Sequence, residues 1–272
     1  MSAGSTRPAA PPSVPDADAA AARLLNAGFV HVRHRHATPA HAWERARAIV
    51  GAARAGDEVG AGMPSPEDVG EFTVPPAGVS QRPFQALHID FGVPIASSVP
   101  LDVARFTALH VGAGRARSGA RTRIASLPEL LRQRRWPPAP ALLARLRAYG
   151  QLQQVADTYV EGILARLVEA ADAEASLPRS GGDGFLCGME FVSLAEERAF
   201  LAARGLDADR VERQVLIEPG ELLVFDNLTT AHGRVGVRAP GELHQLCLGY
   251  GGLDPARQAV LRDRVLAAFA ST

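Results

Sequence analysis

Two segments far apart in the chain contain residue types that can bind a metal ion. In FQALHIDFGVPI, His88 and Asp90 are two residues apart, and residues two apart on a β-strand project to the same face. One imidazole and one carboxylate could therefore reach a single ion. His232, in VFDNLTTAHGRVGVR and expected just after a strand, is the best candidate for a third ligand. Two histidines and one carboxylate suit non-haem Fe(II), because this set leaves coordination positions open.

Each of these three residues also has a simpler interpretation. His88 and His232 could be hydrogen-bonded core histidines, and Asp90 could cap a turn. Any one of them alone favours that interpretation, whereas the three together favour a metal site. Asp226 and Asn227 are expected to hydrogen-bond the turn that presents His232 and so to support it.

The remaining histidines fit no metal-ligand pattern. Four of them near the N-terminus are expected at the surface or on an edge strand: His31, His34, His36 and His41. His110, near the end of a predicted strand, is expected to be half-buried by packing.

Apolar periodicity and turn residues predict a β-rich framework around the candidate ligands. Helices are predicted from residue 16 to Gly28, at 40–56, at 127–134 and at 140–175, the last as one helix or a broken pair. Residues 60–83, dense in glycine and proline, are predicted to form a long loop. Strands are predicted at 29–32, 84–95, 106–111, 185–192, 215–217, 221–225 and 243–250. This order predicts an α+β, mainly β fold, with a double-stranded β-helix (jelly-roll) core braced by helices.

The domain prediction follows from the same pattern. Residues 1–16, rich in proline, alanine and serine, are expected to be a flexible tail. Residues 17–272 are expected to form a single jelly-roll domain with a helical insertion at about 127–176. The N-terminus lacks the pattern of a secretory signal, and no long apolar run occurs, so a soluble, cytoplasmic protein is expected.

Charge and cysteine content narrow the class of partner. The 29 basic residues balance the 29 acidic ones, so no overall field favours nucleic acid or an anionic membrane, and we expect a small-molecule partner. All the basic residues are arginine, which excludes lysine Schiff-base chemistry. The two cysteines, Cys187 and Cys247, suggest neither a disulfide framework nor a zinc site. The oligomeric state is left open.

Three segments carry a family resemblance. PGELLVFDNLTTAHGR resembles the distal-histidine segment of the TauD/TfdA-like (clavaminate synthase and γ-butyrobetaine hydroxylase-like) Fe(II)/2-oxoglutarate-dependent oxygenases, FQALHIDFGVPI resembles their HxD segment, and NAGFVHV resembles their N-terminal strand. The resemblance implies that His88, Asp90 and His232 bind Fe(II), with 2-oxoglutarate and O₂ as co-substrates. It also implies that Thr122 contacts 2-oxoglutarate.

The chain departs from this family at the 2-oxoglutarate anchor. Family members place an arginine roughly ten to thirteen positions after the distal histidine, where it pairs with the distal carboxylate. His244 lies twelve positions after His232, and strand alternation puts it on the same face as Leu246, Leu248 and Tyr250. A protonated His244 is one candidate anchor. Arg238 and Arg234 are the alternatives, and Arg234 could equally hold a substrate carboxylate.

The resemblance further implies a reaction type. 2-Oxoglutarate would be decarboxylated to succinate while an unactivated C–H bond of the substrate is oxidised. Because Asp90 fills the position that halogenating relatives free for chloride, hydroxylation, desaturation or ring closure is expected. The expected substrate is a small amino acid, amine or carboxylate, an amino-acid-derived metabolite of natural-product biosynthesis, with Glu71, Arg82 and Gln85 as candidate contacts. Two alternatives stay open: a non-catalytic jelly-roll protein that binds a small ligand, and a non-haem iron oxygenase that does not use 2-oxoglutarate.

Overall fold

The computed structural model describes residues 14–56, 66–74, 82–88, 105–112, 118–136, 193–227 and 229–249, together with the single residues 141, 191 and 256. Asp90 lies outside these residues, as does the second half of the strand predicted at 84–95. Apart from residues 141 and 191, the elements predicted at 140–175 and 185–192 also lie outside them. Of the tail predicted for residues 1–16, only the last three residues are described.

The described residues form four α-helices and nine β-strands. The helices are α1 (Val14–Ala27), α2 (Pro39–Gly56), α3 (Leu127–Leu131) and α4 (Leu194–Ala202). The strands are β1 (Phe29–Val32), β2 (Glu67–Val74), β3 (Phe84–His88), β4 (Phe106–Val111), β5 (Arg121–Ser126), β6 (Glu212–Val215), β7 (Leu222–Asp226), β8 (Thr230–Val235) and β9 (Leu243–Gly249).

The strands form two antiparallel sheets. The first has five strands in the order β1-β7-β4-β9-β2, and the second has four in the order β3-β8-β5-β6. Strands distant in sequence are neighbours in both sheets, as between β3 and β8 or between β1 and β7. The described part of the chain is therefore mainly β with a few helices, as the α+β class predicts.

One face of the five-stranded sheet packs against α1 and α2. The core there joins Trp43 and Ile49 of α2 to Phe106, Val224 and Leu246 of the sheet. Phe106 and Ala108 alternate along β4 with Leu109 and Val111, which point the other way. This face of the sheet is the helix face.

The opposite face of the same sheet points toward the four-stranded sheet. There Leu109, Leu223 and Phe225 of the first sheet share an apolar cluster with Ile124 of β5. We call the side of each sheet that faces the other sheet its inner face. Both inner faces are buried between the two layers. Alternation along each strand then assigns every side chain either to the inner face or to the outside.

Several elements differ from the prediction. β2 occupies part of the loop predicted at 60–83, and β5, β8 and α4 were not predicted. α1 begins at Val14, inside the predicted tail. His232 lies within β8 rather than after a strand, because Thr230–Val235 pairs with both β3 and β5.

No helix among the described residues is both long enough and apolar enough to span a membrane.

Candidate metal centre

His88 and His232 face each other on neighbouring strands. The two residues are direct partners in the antiparallel register of β3 and β8. Their ring centroids are 4.3 Å apart, and both residues are buried, with 7% and 8% of their surface exposed. The His232 ring also lies 4.6 Å from the ring of Phe225, which places both histidines on the inner face. The structure thus brings together the two histidines that the sequence singles out.

Backbone contacts orient the His88 ring. Its Nδ1 is 2.9 Å from the carbonyl oxygen of Ala86, so Nδ1–H donates to that oxygen and Nε2 keeps a lone pair. The side-chain nitrogen of Gln85 lies 3.3 Å from this Nε2. A histidine whose other ring nitrogen is held by a carbonyl has the tautomer and orientation usual for a metal ligand.

A β-bulge in β3 turns His88 inward. Gln85 is opposite Arg234 and His88 is opposite His232, so Ala86 and Leu87 together face one residue of β8. In a regular strand, residues three apart point to opposite faces, and Gln85 and His88 would diverge. The extra residue of the bulge lets both side chains point to the inner face.

Gly233 makes room for this bulge. A Cβ atom at Gly233 would lie 2.6 Å from the carbonyl oxygen of Gln85 and 2.8 Å from that of Ala86. No real side chain tolerates such distances to backbone atoms, so the bulged backbone of β3 can approach β8 only at a glycine. The glycine of the His-Gly-Arg motif is thereby explained by the packing of the strand that bears His88.

Polar and cationic side chains lie on the inner face two residues along from the histidines. Thr122 pairs with Arg234, just as Ile124 pairs with His232, so all four side chains share one face. Arg238, in the turn after β8, donates from Nη2 to Thr122 Oγ1 over 2.7 Å. Arg234 donates to the carbonyl oxygen of Gly236. Thr122, Arg234 and Arg238 are all buried, and we call them the cationic cluster.

The charge of Arg238 reflects this environment. Burial lowers the pKa of Arg238 to about 10, an effect that the carboxylate of Glu242 opposes and the like charge of Arg234 adds to. The guanidinium still carries its charge at neutral pH. Two buried guanidinium groups that repel each other favour a bound anion, because an anion offsets both their repulsion and their lost hydration.

His244 does not belong to this cluster. It pairs with His110 of β4 and Thr73 of β2, and it alternates in phase with Leu246 and Leu248, whose side chains pack on the helix face. The predicted alternation along β9 is therefore correct for these residues, and Tyr250 lies outside the described residues. The expectation of His244 as an anchor is corrected. His244 lies on the helix face of the five-stranded sheet, whereas His232 lies on the inner face of the four-stranded sheet.

The three candidate substrate contacts are placed differently. Gln85 is half-buried on the inner face beside His88. Glu71 pairs with Leu246 on edge strand β2, so it projects on the side of the helix face, away from His232. Arg82 is exposed, two residues before β3. The structure brings Gln85 to the candidate site, places Glu71 elsewhere and leaves Arg82 at the surface.

The Asp226-Asn227 pair stabilises the strand before His232 through an arginine that the sequence did not point to. Arg105 is buried, and its Nε and Nη2 donate to the two carboxylate oxygens of Asp226 over 3.1 and 2.8 Å. The backbone amide of Asn227 donates to the Arg105 carbonyl, and that of Thr229 to the Asp226 carbonyl. Because Arg105 is 121 positions away from Asp226 in the sequence, no local sequence pattern predicts this pair.

The N-terminal histidines are only partly at the surface. His31 lies on edge strand β1, as expected, and its Nε2 is 2.8 Å from the Glu221 carboxylate. His36 is buried, in contrast to the prediction, and its ring lies 6.4 Å from that of His110, which is fully buried rather than half-buried.

Within the described residues, no group of three histidine, cysteine, aspartate or glutamate side chains is arranged to hold a metal ion. The predicted third ligand, Asp90, lies outside them. The donor set that is described, two buried imidazoles on adjacent strands with one tautomer fixed, fits two of the three protein ligands of a non-haem Fe(II) site.

No protein-family model matches the chain, and a search of curated proteins finds no match. Among solved structures, PvcB from Pseudomonas aeruginosa is 16% identical over 88% of this chain and 84% of its own, with a TM-score of 0.43. A taurine dioxygenase from Burkholderia xenovorans is 15% identical over 98% and 92%, with a TM-score of 0.42. The non-heme iron oxygenase OrfP is 15% identical over 87% and 79%, with a TM-score of 0.40. A likeness at this level does not by itself assign a function.

Proposed function

We propose that this chain is an Fe(II)- and 2-oxoglutarate-dependent oxygenase that oxidises an unactivated C–H bond of a small molecule. One observation carries the proposal. His88 and His232 oppose each other on the inner face. The buried cationic cluster lies beside them, with Arg234 two residues along β8 from His232, Thr122 opposite Arg234 on β5 and Arg238 hydrogen-bonded to Thr122. A dianion that chelates a metal needs protein ligands for the metal and, beside them, a buried positive charge for its other carboxylate. The two histidines and the cationic cluster would supply both.

His88 and His232 would hold the iron together with Asp90. When bound, Fe(II) supplies the redox chemistry with which O₂ and 2-oxoglutarate oxidise a C–H bond. The chain contributes the rest: the Ala86 carbonyl fixes the His88 tautomer, and the Gln85 amide must leave Nε2 for a metal to bind there. Burial of both rings excludes water from the reacting groups.

The cationic cluster would hold the distal carboxylate of 2-oxoglutarate. Arg238 offers a buried guanidinium already hydrogen-bonded to the Thr122 hydroxyl, so a cationic donor and a hydroxyl lie side by side. Arg234 lies on the neighbouring strand and adds positive charge. Charge-assisted hydrogen bonds of this kind are the stronger ones in proteins, and an arginine fork adds geometric specificity.

The two antiparallel layers with the candidate site on their inner faces support the finer fold prediction, a double-stranded β-helix. We also retain the expectation of a small amino-acid-derived substrate, oxidised by hydroxylation, desaturation or ring closure in natural-product biosynthesis. Gln85 is the predicted substrate contact that lies beside the histidines, where its amide could bind a polar substrate group.

Anaerobic titration with Fe(II) and 2-oxoglutarate tests the proposal. A chelate of the two should give the protein a weak visible charge-transfer absorption, and His88→Ala, Asp90→Ala and His232→Ala should each abolish it. His244→Ala is the matched control, since it removes a histidine from the helix face and should keep the band.

The outcomes separate the alternatives. A protein that binds a small ligand without turnover would give no band, and an oxygenase with another electron source would consume O₂ without a requirement for 2-oxoglutarate. A His232→Ala variant that keeps the full band would remove His232 from the site. With the right substrate, succinate should form in step with the oxidised product.

A further inference from the structure

A buried ion network covers the outer face of the four-stranded sheet, behind the candidate metal centre. Arg123 of β5 has no exposed surface. Its Nε and Nη2 donate to the two carboxylate oxygens of Glu212 over 3.1 and 2.7 Å, and Nη2 also donates to the carboxylate of Glu197. Because Thr122 and Ile124 on either side of it face inward, Arg123 points outward.

Arg123 and Glu212 hold each other in their charged forms. Burial lowers the pKa of Arg123, but the hydrogen bonds and charges of Glu212 and Glu197 outweigh burial and raise it. Burial raises the pKa of Glu212, and Arg123 and Arg198 more than reverse that effect. Buried ion pairs contribute little net stability compared with apolar packing, so stability alone is a weak reason for this network.

The network contacts the backbone of the β3 bulge at two points. Glu197, on α4, accepts a hydrogen bond from the backbone amide of Leu87 over 2.7 Å. Arg123 Nη1 donates to the carbonyl oxygen of Gln85 over 3.3 Å. Leu87 is a bulge residue with no partner in the register of β8, and a buried amide left without an acceptor would be costly.

We propose that Glu197 is a positioning residue for the metal centre: by accepting from the Leu87 amide, it holds the bulge that turns His88 toward His232. This inference rests on the proposed function of His88 as a metal ligand. If the bulge relaxed into a regular strand, His88 would rotate to the outer face while Gln85 stayed inward. Glu197 reaches the bulge from a helix 110 residues further along the chain.

Glu212 provides a matched control. Both carboxylates pair with Arg123, and each has 3% of its side chain exposed, but only Glu197 contacts Leu87. The variants Glu197→Met, Glu197→Gln and Glu212→Met all remove one charge from Arg123 and nearly conserve side-chain length. Glu197→Gln alone among them keeps an acceptor for the Leu87 amide while losing the charge at that position.

Two readouts are measured on the full chain without turnover. Co(II) titration of the metal-free protein, followed by its visible absorption, gives the dissociation constant of the histidine site. Hydrogen exchange of the Leu87 amide and the ¹⁵N shifts of the His88 ring report the bulge itself, with no metal present. Denaturant unfolding records the change in stability for each variant.

We expect Glu197→Met to weaken Co(II) binding about ten- to hundredfold, as loss of a supporting contact to a metal ligand typically does, and to deprotect the Leu87 amide. Glu197→Gln should restore most of both properties. Glu212→Met should lower stability to a similar extent, with Co(II) affinity and Leu87 protection near those of the unsubstituted chain.

The proposal is overturned if Glu212→Met and Glu197→Met weaken Co(II) binding equally, or if Glu197→Met leaves the Leu87 amide protected. Should Glu197→Met fail to fold, Glu197→Asp keeps the charge but shortens the side chain by one methylene, so that its carboxylate no longer reaches the Leu87 amide, and Glu212→Asp is the control. Weaker Leu87 protection in Glu197→Asp than in Glu212→Asp then supports the proposal, and equal protection overturns it. Should the unsubstituted chain bind no Co(II), the proposed function fails, while amide exchange and the His88 shifts still test the bulge.

Discussion

Arginine and histidine make physically different anchors for a dianion such as 2-oxoglutarate. A histidine must take up a proton near neutral pH to carry charge, whereas Arg238, with a pKa of about 10, is charged throughout the physiological range. Affinity for an anion held by Arg238 should thus be nearly constant between about pH 6 and 8 and should weaken only as the pH approaches 10.

Replacement of Arg238 should therefore weaken 2-oxoglutarate binding selectively. A charge-assisted hydrogen bond contributes about 1.5 to 3 kcal/mol, so Arg238→Ala should raise the dissociation constant about ten- to hundredfold. His244→Ala, on the helix face, should change it little. The measurement is a titration of 2-oxoglutarate against the Fe(II)-loaded protein under anaerobic conditions. A large loss in His244→Ala with none in Arg238→Ala would contradict the assignment of the anchor.

At the scale of elements, two arginine–aspartate pairs tie strands to their surroundings in different environments. The Arg105–Asp226 pair is buried, with 2% and 9% of the side chains exposed, and it fixes the end of β7. The Arg47–Asp68 pair joins α2 to β2 with a similar two-bond geometry, but 38% and 44% of its side chains are exposed. The pairs differ chiefly in their access to water.

Loss of the buried aspartate should be far more costly. Asp226→Ala removes the carboxylate that pairs with the buried Arg105 guanidinium and should lower the free energy of unfolding by about 3 to 5 kcal/mol. Asp68→Ala breaks a solvated pair and should cost at most about 1 kcal/mol. Urea unfolding at neutral pH measures both. Equal costs for the two variants would show that the burial of Asp226 does not determine its contribution.

The sequence predicted best those strands whose residues are mostly apolar. The predicted bounds 29–32 and 106–111 agree with β1 and β4, and every residue of β4 is buried. β5 and β8 escaped prediction because their sequences, RTRIAS and TAHGRV, are polar. Their buried polar groups find partners in segments distant in sequence, such as Glu197 for Arg123, and local periodicity contains no information about such partners.

The candidate site was likewise predicted only in part from the sequence. Residue type and spacing predicted that His88 and His232 would converge, because the two histidines and Asp90 together favour a metal site although none of them does so alone. Alternation also predicted that His244 would lie in phase with Leu246, but it could not say which face of β9 is the inner one. That choice depends on α1 and α2 covering the other face, which is a property of the assembled layers.

At the scale of the whole molecule, the five-stranded sheet separates two groups of buried or half-buried histidines. The candidate ligands lie on its inner side, and His36, His110 and His244 lie on the helix face, where the rings of His36 and His244 are each 6.4 Å from that of His110. His110 is held neutral, because burial lowers its pKa, although a hydrogen bond to the Glu221 carbonyl opposes this and the charge of His244 adds to it.

The helix-face histidines should make the fold sensitive to acid. Burial, together with the nearby charges of His34, His110, Arg45 and His41, lowers the pKa of His36 from 6.5 to about 4. Since the unfolded chain binds the proton more readily, the stability from neutral His36 is complete above about pH 6.5 and is lost as the pH falls toward 4. At pH 4.5 the loss should reach about 2 to 3 kcal/mol. Urea unfolding of the metal-free protein at pH 7.5 and 4.5 measures it. His36→Asn should reduce by that amount the difference between the free energies of unfolding at the two pH values. Substitution of the exposed His41 by Gln should leave this difference unchanged. If the difference is unchanged in His36→Asn as well, other groups cause the acid sensitivity.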